Sequence, residues 1–255
     1  MFKKLKAFTM AEMLLTIGIV AALAIVILPT LNTSVNTKHY ITAMRTMTAN
    51  LNDKLQAEMA VEDVTNVGDL RAFTEAAKMG SDTEKIKKFL KEANKFWTLT
   101  PATEDHTRII GLNKKAPSGS DFAKATWPKD AMSILHTGGM IYIYQFEPDG
   151  VTKDATPEDI SNKGGAMYRR YAIVFLDVNA YKKPNRIGVD IFKFYLGQDG
   201  TLYPVGGKDA SIFRLNQDSL WSSNEAQYNC KPESLGLGCA GRIREQGWII
   251  NYLDK

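Results

Sequence analysis

Apolar residues run from Phe8 to Leu28, interrupted only by Thr9, Glu12, Thr16 and Gly18. A helix over these 21 residues, rising about 1.5 Å at each, is about 30 Å long, the thickness of bilayer hydrocarbon. Pro29 follows. Proline has no backbone N–H and its ring clashes with the preceding turn, so a kink or local melting of the helix is expected there. Beyond Pro29 the chain turns polar but keeps a helical rhythm. Leu31, Val35, Ile41, Met44, Leu51, Leu55 and Met59 recur mostly at three- or four-residue steps, which predicts an amphipathic helix over 31–61 with one buried face. Residues 8–61 therefore read as one long kinked helix, half membrane-spanning and half packed on a head.

The head reads as α+β. A short helix is expected over 69–79. Ser81-Asp82-Thr83-Glu84 resembles a capping box opening another helix, with Ile86, Phe89, Leu90, Ala93 and Trp97 as its apolar stripe. Lys85, Lys87, Lys88, Lys91 and Lys95 make its other face basic. That face reads as a solvated exterior; binding of DNA or another polyanion is the alternative, and no specific nucleic-acid partner is expected. Residues 100–130 look irregular, with Pro101, Pro117, Gly119 and Pro128. Strand patterns follow at 139–146, 171–178, 190–196, 201–205 and 248–253, with a polar surface loop at 148–165. Gly197-Gln198-Asp199-Gly200 is a hairpin turn signal. The expected architecture is the long helix packed on an antiparallel sheet.

Lys3, Lys4 and Lys6 precede the apolar run and place the N-terminus in the cytoplasm by the positive-inside rule. A secretory signal would have a shorter apolar core and a small-residue cleavage site; Pro29-Thr30-Leu31-Asn32 is a poor one. A plain signal anchor leaves Glu12 unexplained, because a carboxylate in an apolar segment costs roughly 2.5–3.5 kcal/mol at mid-helix.

The run from Lys6 through Ala7, Phe8, Thr9, Met10, Ala11 and Glu12 to Thr16 resembles the processing site of type IV prepilins and type II secretion pseudopilins. Phe8, Glu12 and Pro29 stand where that family has its Phe, its Glu four residues on and its Pro 21 residues on. Ala7 stands where Gly is usual, and Met10-Ala11 replace a more common Leu-Ile. The resemblance covers about 30 residues of the 255. It implies cleavage between Ala7 and Phe8 by a prepilin peptidase, methylation of the new Phe8 amino group by the same enzyme, and assembly into a helical filament. It also implies partners: copies of this chain or other pilin-like subunits, and an inner-membrane assembly platform.

The physical logic is consistent with that. Cutting before Phe8 removes the basic head and leaves an amine at the start of an apolar helix. Glu12 of one subunit can neutralise the amine of the next, and an unpaired buried charge costs several kcal/mol, so the pair selects one stagger. Three divisions follow: a leader at 1–7, a transmembrane or filament-core helix at 8–30, and an extracytoplasmic pilin-like head at 31–255. The expected location is the bacterial inner membrane, single-pass, and then a periplasmic or cell-surface filament. The expected function is a structural subunit of a type IV pilus or pseudopilus. The alternative is a minor pilin, adhesin, or DNA- or substrate-binding module displayed on such a fibre.

Net charge is +4, and removing three of the 32 basic residues with the leader leaves 29 against 28 acidic ones. A nearly neutral mature chain gives no general argument for polyanionic partners. Cys230 and Cys239 have eight residues between them and no histidine cluster nearby, so zinc is not indicated. In an exported domain they read as a local disulfide, otherwise as two free thiols.

Asp177, Asn179, Asn185 and Asp190 offer side-chain oxygens around one turn, and the segment resembles a β–β loop of pseudopilin-like heads, some of which bind calcium. Calcium takes six to eight oxygens. Only two carboxylates are present, and Lys182, Lys183 and Arg186 oppose a cation. The other reading is an Asx-rich turn that bonds its own backbone. No other cofactor is expected. His39, His106 and His136 lie in unrelated contexts, His39 near the polar face of the long helix, and no hydrolase, zinc-protease or phosphate-loop motif is present, so an enzyme is not expected. Trp127, Trp221, Tyr228 and Trp248 are either adhesive contacts or core, and Trp248 reads as core within the last strand pattern.

Overall fold

The computed structural model describes residues 9–74, 83–106, 108–115, 127, 129, 132–146, 170–208, 220–224 and 226–253. The chain divides into two compact units, Met1–His39 and Tyr40–Lys255. Helix α1 is assigned over Met10–Val61, through Pro29.

In the first unit, every described side chain of α1, over residues 10–23, is exposed. In the second, Ile41, Met44, Met47, Leu51, Leu55 and Met59 form its buried stripe, as a three- and four-residue spacing requires. That stripe lies on a six-stranded sheet: β1 (Leu99–Pro101), β2 (Met132–Leu135), β3 (Met140–Phe146), β4 (Arg170–Asp177), β5 (Ile191–Gly197) and β6 (Leu202–Pro204). The strands are ordered as in sequence and every neighbouring pair is antiparallel. Two turns fix where α1 crosses it. At the β2–β3 turn, a Cβ on Gly139 would lie 2.4 Å from the Met47 methyl. At the β5–β6 turn, Gly200 has φ +74° and faces the Met59 sulfur, while the Leu202 N–H donates to Asn52 Oδ1 at 2.9 Å. This second turn is the hairpin expected from Gly197 to Gly200, with the Gly200 N–H bonded back to the Gly197 carbonyl at 3.1 Å.

β5 is buried along its whole length, so its sheet region has cover on both faces. The second cover is the C-terminal segment. Its helix α4 (Cys239–Glu245) sits so close to the chain after β6 that the Gly241 N–H bonds the Val205 carbonyl at 2.9 Å; a Cβ on Gly241 would overlap Gly207. Between α1 and β1 come a 3-10 turn (Val67–Asp69), α2 (Arg71–Thr74) and α3 (Thr83–Trp97). Ile86, Phe89, Leu90, Ala93 and Trp97 are all buried, and Phe73 packs on Phe89 with ring centroids 4.4 Å apart.

Several expectations are corrected. The most consequential is the fold class, a long N-terminal kinked helix with a membrane-spanning half on a pilin-like head. The architecture is a six-stranded antiparallel sheet packed with α1 and several short helices, and among the described residues there is no long apolar helix. Among the described residues no helix is long and apolar enough to cross a membrane. Within the second unit, from Tyr40 onward, the helix is amphipathic. The expected single-pass inner-membrane location is overturned by the same observation.

Smaller corrections follow. The helix expected over 69–79 is α2, four residues long, within the described part. The irregular stretch over 100–130 is flanked by β1 and β2, which the sequence reading did not place. The strand expected over 248–253 does not form. Gly247 (φ +76°) and Trp248 (φ +65°) are both left-handed, which stops α4 and interrupts the extended path a strand needs. Trp248 is half-buried, with the Arg45 guanidinium 5.5 Å from its ring centroid, so it is not a core residue. The loop at 148–165, Ser81 and Asp82 of the capping box, and the Lys85 and Lys95 side chains lie outside the described residues.

Candidate functional site

The first turn of α1 is closed by three hydrogen bonds between Thr9 and Glu12. The Thr9 N–H and hydroxyl donate to Glu12 Oε2 at 2.9 and 2.8 Å, and the Glu12 N–H donates to Thr9 Oγ1 at 3.3 Å. This is a capping box, Thr at N-cap and Glu three residues on. Glu12 thus has a local role that the sequence reading did not assign, although the T-x-x-E spacing carries the signal. Around it Met10, Met13, Leu14, Leu15, Ile17, Ile19, Val20 and Leu23 are each more than half exposed, and these positions go all the way round the helix. Ala7 and Phe8, the expected processing and methylation positions, lie outside the described residues, as does the Pro29 side chain.

The second cluster sits where β4 leads into β5. Asp177 ends β4, Asp190 precedes β5, and the Val178 N–H bonds the Asp190 carbonyl at 2.9 Å, closing the neck of the 178–190 loop. The structure brings Asp177, Asn179, Asn185 and Asp190 together. The Asn179 N–H donates to Asp177 Oδ1 at 3.0 Å, and its amide Nδ2 donates to Asp190 Oδ2 at 3.2 Å. The N–H groups of Asn185 and Arg186 donate to Asp190 Oδ2 and Oδ1 at 2.9 and 2.6 Å. Asn185 at φ +51° and Ala180 at φ +54° allow the tight path this needs.

The other oxygen of Asp177 meets His106 Nε2 at 2.6 Å, both side chains fully buried. His106 was missed by the sequence reading: 71 residues separate it from Asp177, and no spacing rule links them. Its ring lies edge-on to Trp127, at 5.4 Å. Tyr181 ties the loop to the same segment, its hydroxyl donating to the Glu104 carbonyl at 2.9 Å and accepting from the Thr103 and Glu104 N–H groups.

Burial pushes both carboxyls up. Asp177 is raised mainly by burial, opposed by its bond to His106. Asp190 is raised to about 7, first by burial and then by the charge of Asp177, against the three N–H donors. Arg186 is held down by burial, and its guanidinium turns to the Leu112 carbonyl instead of Asp190. Every carboxylate oxygen of Asp177 and Asp190 therefore meets a nitrogen of the chain itself, the pattern of an Asx turn. Among the described residues no group of three or more His, Cys, Asp or Glu could hold a metal ion.

Cys230 and Cys239 form a disulfide, with Cα atoms 4.9 Å apart. It ties the loop before α4 to the first residue of that helix. Trp127 and Tyr228 are core, and Trp221 is half-buried beneath the Arg242 guanidinium, 5.1 Å from its ring centroid. Of the basic face of α3, Lys87, Lys88 and Lys91 are exposed. No protein-family model, no curated protein and no solved structure matches this chain.

Proposed function

We propose that this chain is a structural subunit of a helical filament of the type IV pilus or pseudopilus kind. In this reading it is cleaved between Ala7 and Phe8, methylated at Phe8, and assembled with copies of itself or related subunits through its N-terminal helix. One observation carries the reading: residues 10–23 form a helix that is apolar on every side and exposed on every side. A helix of that kind is stable only when something dry surrounds it, and an exposed apolar surface of this extent marks an interaction site. Identical helices of neighbouring subunits supply such surroundings.

Glu12 is the one charged residue in that stretch. In a dry bundle an unpaired carboxylate costs several kcal/mol, and the Phe8 amine of a neighbour is a partner of opposite charge that only cleavage creates. Thr9 bonds Oε2, and in this reading Oε1 takes that amine.

Mass spectrometry of the chain from its native host tests the reading. The expected N-terminus is Phe8 carrying one methyl group, and Glu12→Ala is expected to abolish filaments while the head still folds. A chain that keeps Lys3, Lys4 and Lys6, or a Glu12→Ala variant that assembles as well as the unmodified chain, refutes it.

A further inference from the structure

A cleft of about 290 Å³ opens in the head between α1, the end of α3 and the β2–β3 turn. Its floor is apolar, made by the edges of Met47, Leu51, Trp97 and Leu135, all buried. Its rim is polar and exposed, made by Asn50, Asp53 and Lys54 from α1, Thr98, and His136 and Thr137 from the turn. Among the described residues none of these six spends its side chain on a hydrogen bond or an ion pair within the chain. The volume is at the small end of ligand pockets, about 300–1,000 Å³.

The backbone around the cleft is, by contrast, spent. The Thr98 N–H bonds the Asn94 carbonyl, the Leu135 N–H the Gly139 carbonyl, and the Gly138 N–H the Leu135 carbonyl. A peptide strand is recognised largely through main-chain bonds to a free edge, and these groups are not available for it. What remains is recognition by side-chain hydroxyls, an amide, an imidazole and one charge of each sign, over a small apolar floor.

Thr98 adds an independent sign. It caps α3 at φ +54°, where glycine is the usual residue, and it is the β-branched member of the described non-glycine residues at positive φ. A β-branched residue is a true outlier there, and such strain collects at ligand clamps. Thr98 lines the rim of the cleft.

We infer that this cleft is a carbohydrate-binding site, taking one sugar ring with its C–H face on Met47, Leu51, Trp97 and Leu135 and its hydroxyls on the polar rim. The neighbouring charges of Asp53 and Lys54 cancel, so a neutral sugar fits better than an acidic or amino sugar. Asp53 accepts from a pair of sugar hydroxyls, and Asn50, His136 and the two threonines bond the rest. The site does not depend on whether the chain assembles into a filament.

The test is an NMR titration of the full isotope-labelled chain in detergent. The probes are methyl α-glucoside, methyl β-galactoside, N-acetylglucosamine and, as the competing class, trialanine. At least one sugar is expected to shift the His136 ring and Trp97 indole signals, saturating with a Kd of about 1–10 mM. Asp53→Ala, an exposed change that leaves the melting temperature alone, is expected to weaken that sugar about tenfold, the loss of a charge-assisted bond. The inference is overturned if no sugar shifts these signals by about 50 mM, a concentration well above the expected Kd. It is equally overturned if trialanine binds and the sugars do not, or if Asp53→Ala leaves the affinity unchanged.

Discussion

Replacing Asp190 by asparagine removes a strongly perturbed carboxyl at the end of the 178–190 loop while keeping an oxygen to accept the Asn185 and Arg186 N–H groups. Asp190 is fully buried, Asp177 stands nearby, and among the described residues no cationic side chain forms an ion pair with it. Burial and that neighbouring charge raise it from 3.8 to about 7. Below about pH 4 both folded and unfolded chains hold the proton, and the group leaves stability untouched. Between about 4 and about 7 the unfolded chain has lost the proton and the folded chain has kept it. Stability therefore falls by about 1.4 kcal/mol per pH unit on the way up, and the loss is complete above about 7. The full span is about 4 kcal/mol, a large part of an ordinary domain's stability. Urea unfolding of the full chain in detergent, at pH 5 and pH 8, measures it. Relative to Asp190→Asn, the unmodified chain should lose about 3 kcal/mol between those values. The three N–H donors act in the opposite sense. If they outweigh burial and repulsion, the two proteins will share one pH dependence and the Asp190 carboxyl carbon will titrate near 4 or below, which refutes the reasoning.

Three further outcomes are expected. Thr9→Ala removes the N-cap acceptor of α1 and should cost about 1 kcal/mol of helix stability, read as lower helicity by circular dichroism at the N-terminal end. Cys230→Ser opens the nine-residue span to Cys239 and should lower stability by about 2–3 kcal/mol, seen as a lower melting temperature that reductant no longer changes. Leu55→Ala, on the fully buried stripe of α1, should cost about 2–5 kcal/mol in denaturant unfolding; a cost below 1 kcal/mol would mean the helix does not rest on the sheet there.

Periodicity made much of the head legible. The stripe from Ile41 to Met59 and that of α3 follow from a helix having to bury one side, and β3 to β6 follow from alternation bounded by turn residues. The same rules failed where local pattern and local geometry part company. Residues 248–253 alternate like a strand, but two consecutive left-handed residues, Gly247 and Trp248, decide their path. β1 and β2 were illegible because three- and four-residue strands contain too few positions to show a period, and they exist by pairing with a neighbour already in place.

The chain's own order of residues determined the local facts: the apolar stretch with its single acid, the T-x-x-E cap, the hairpin at Gly197 to Gly200, and the closeness of Asp177, Asn179, Asn185 and Asp190 around one turn. Each depends on neighbours within a few positions, where bond geometry leaves few choices. Tertiary packing decided the rest. It set His106 against Asp177 from 71 positions away, turned the Asp190 carboxylate to backbone N–H donors, and assembled the cleft from three separate elements. Contacts between distant segments depend on how whole surfaces fit, and no spacing along the chain encodes them.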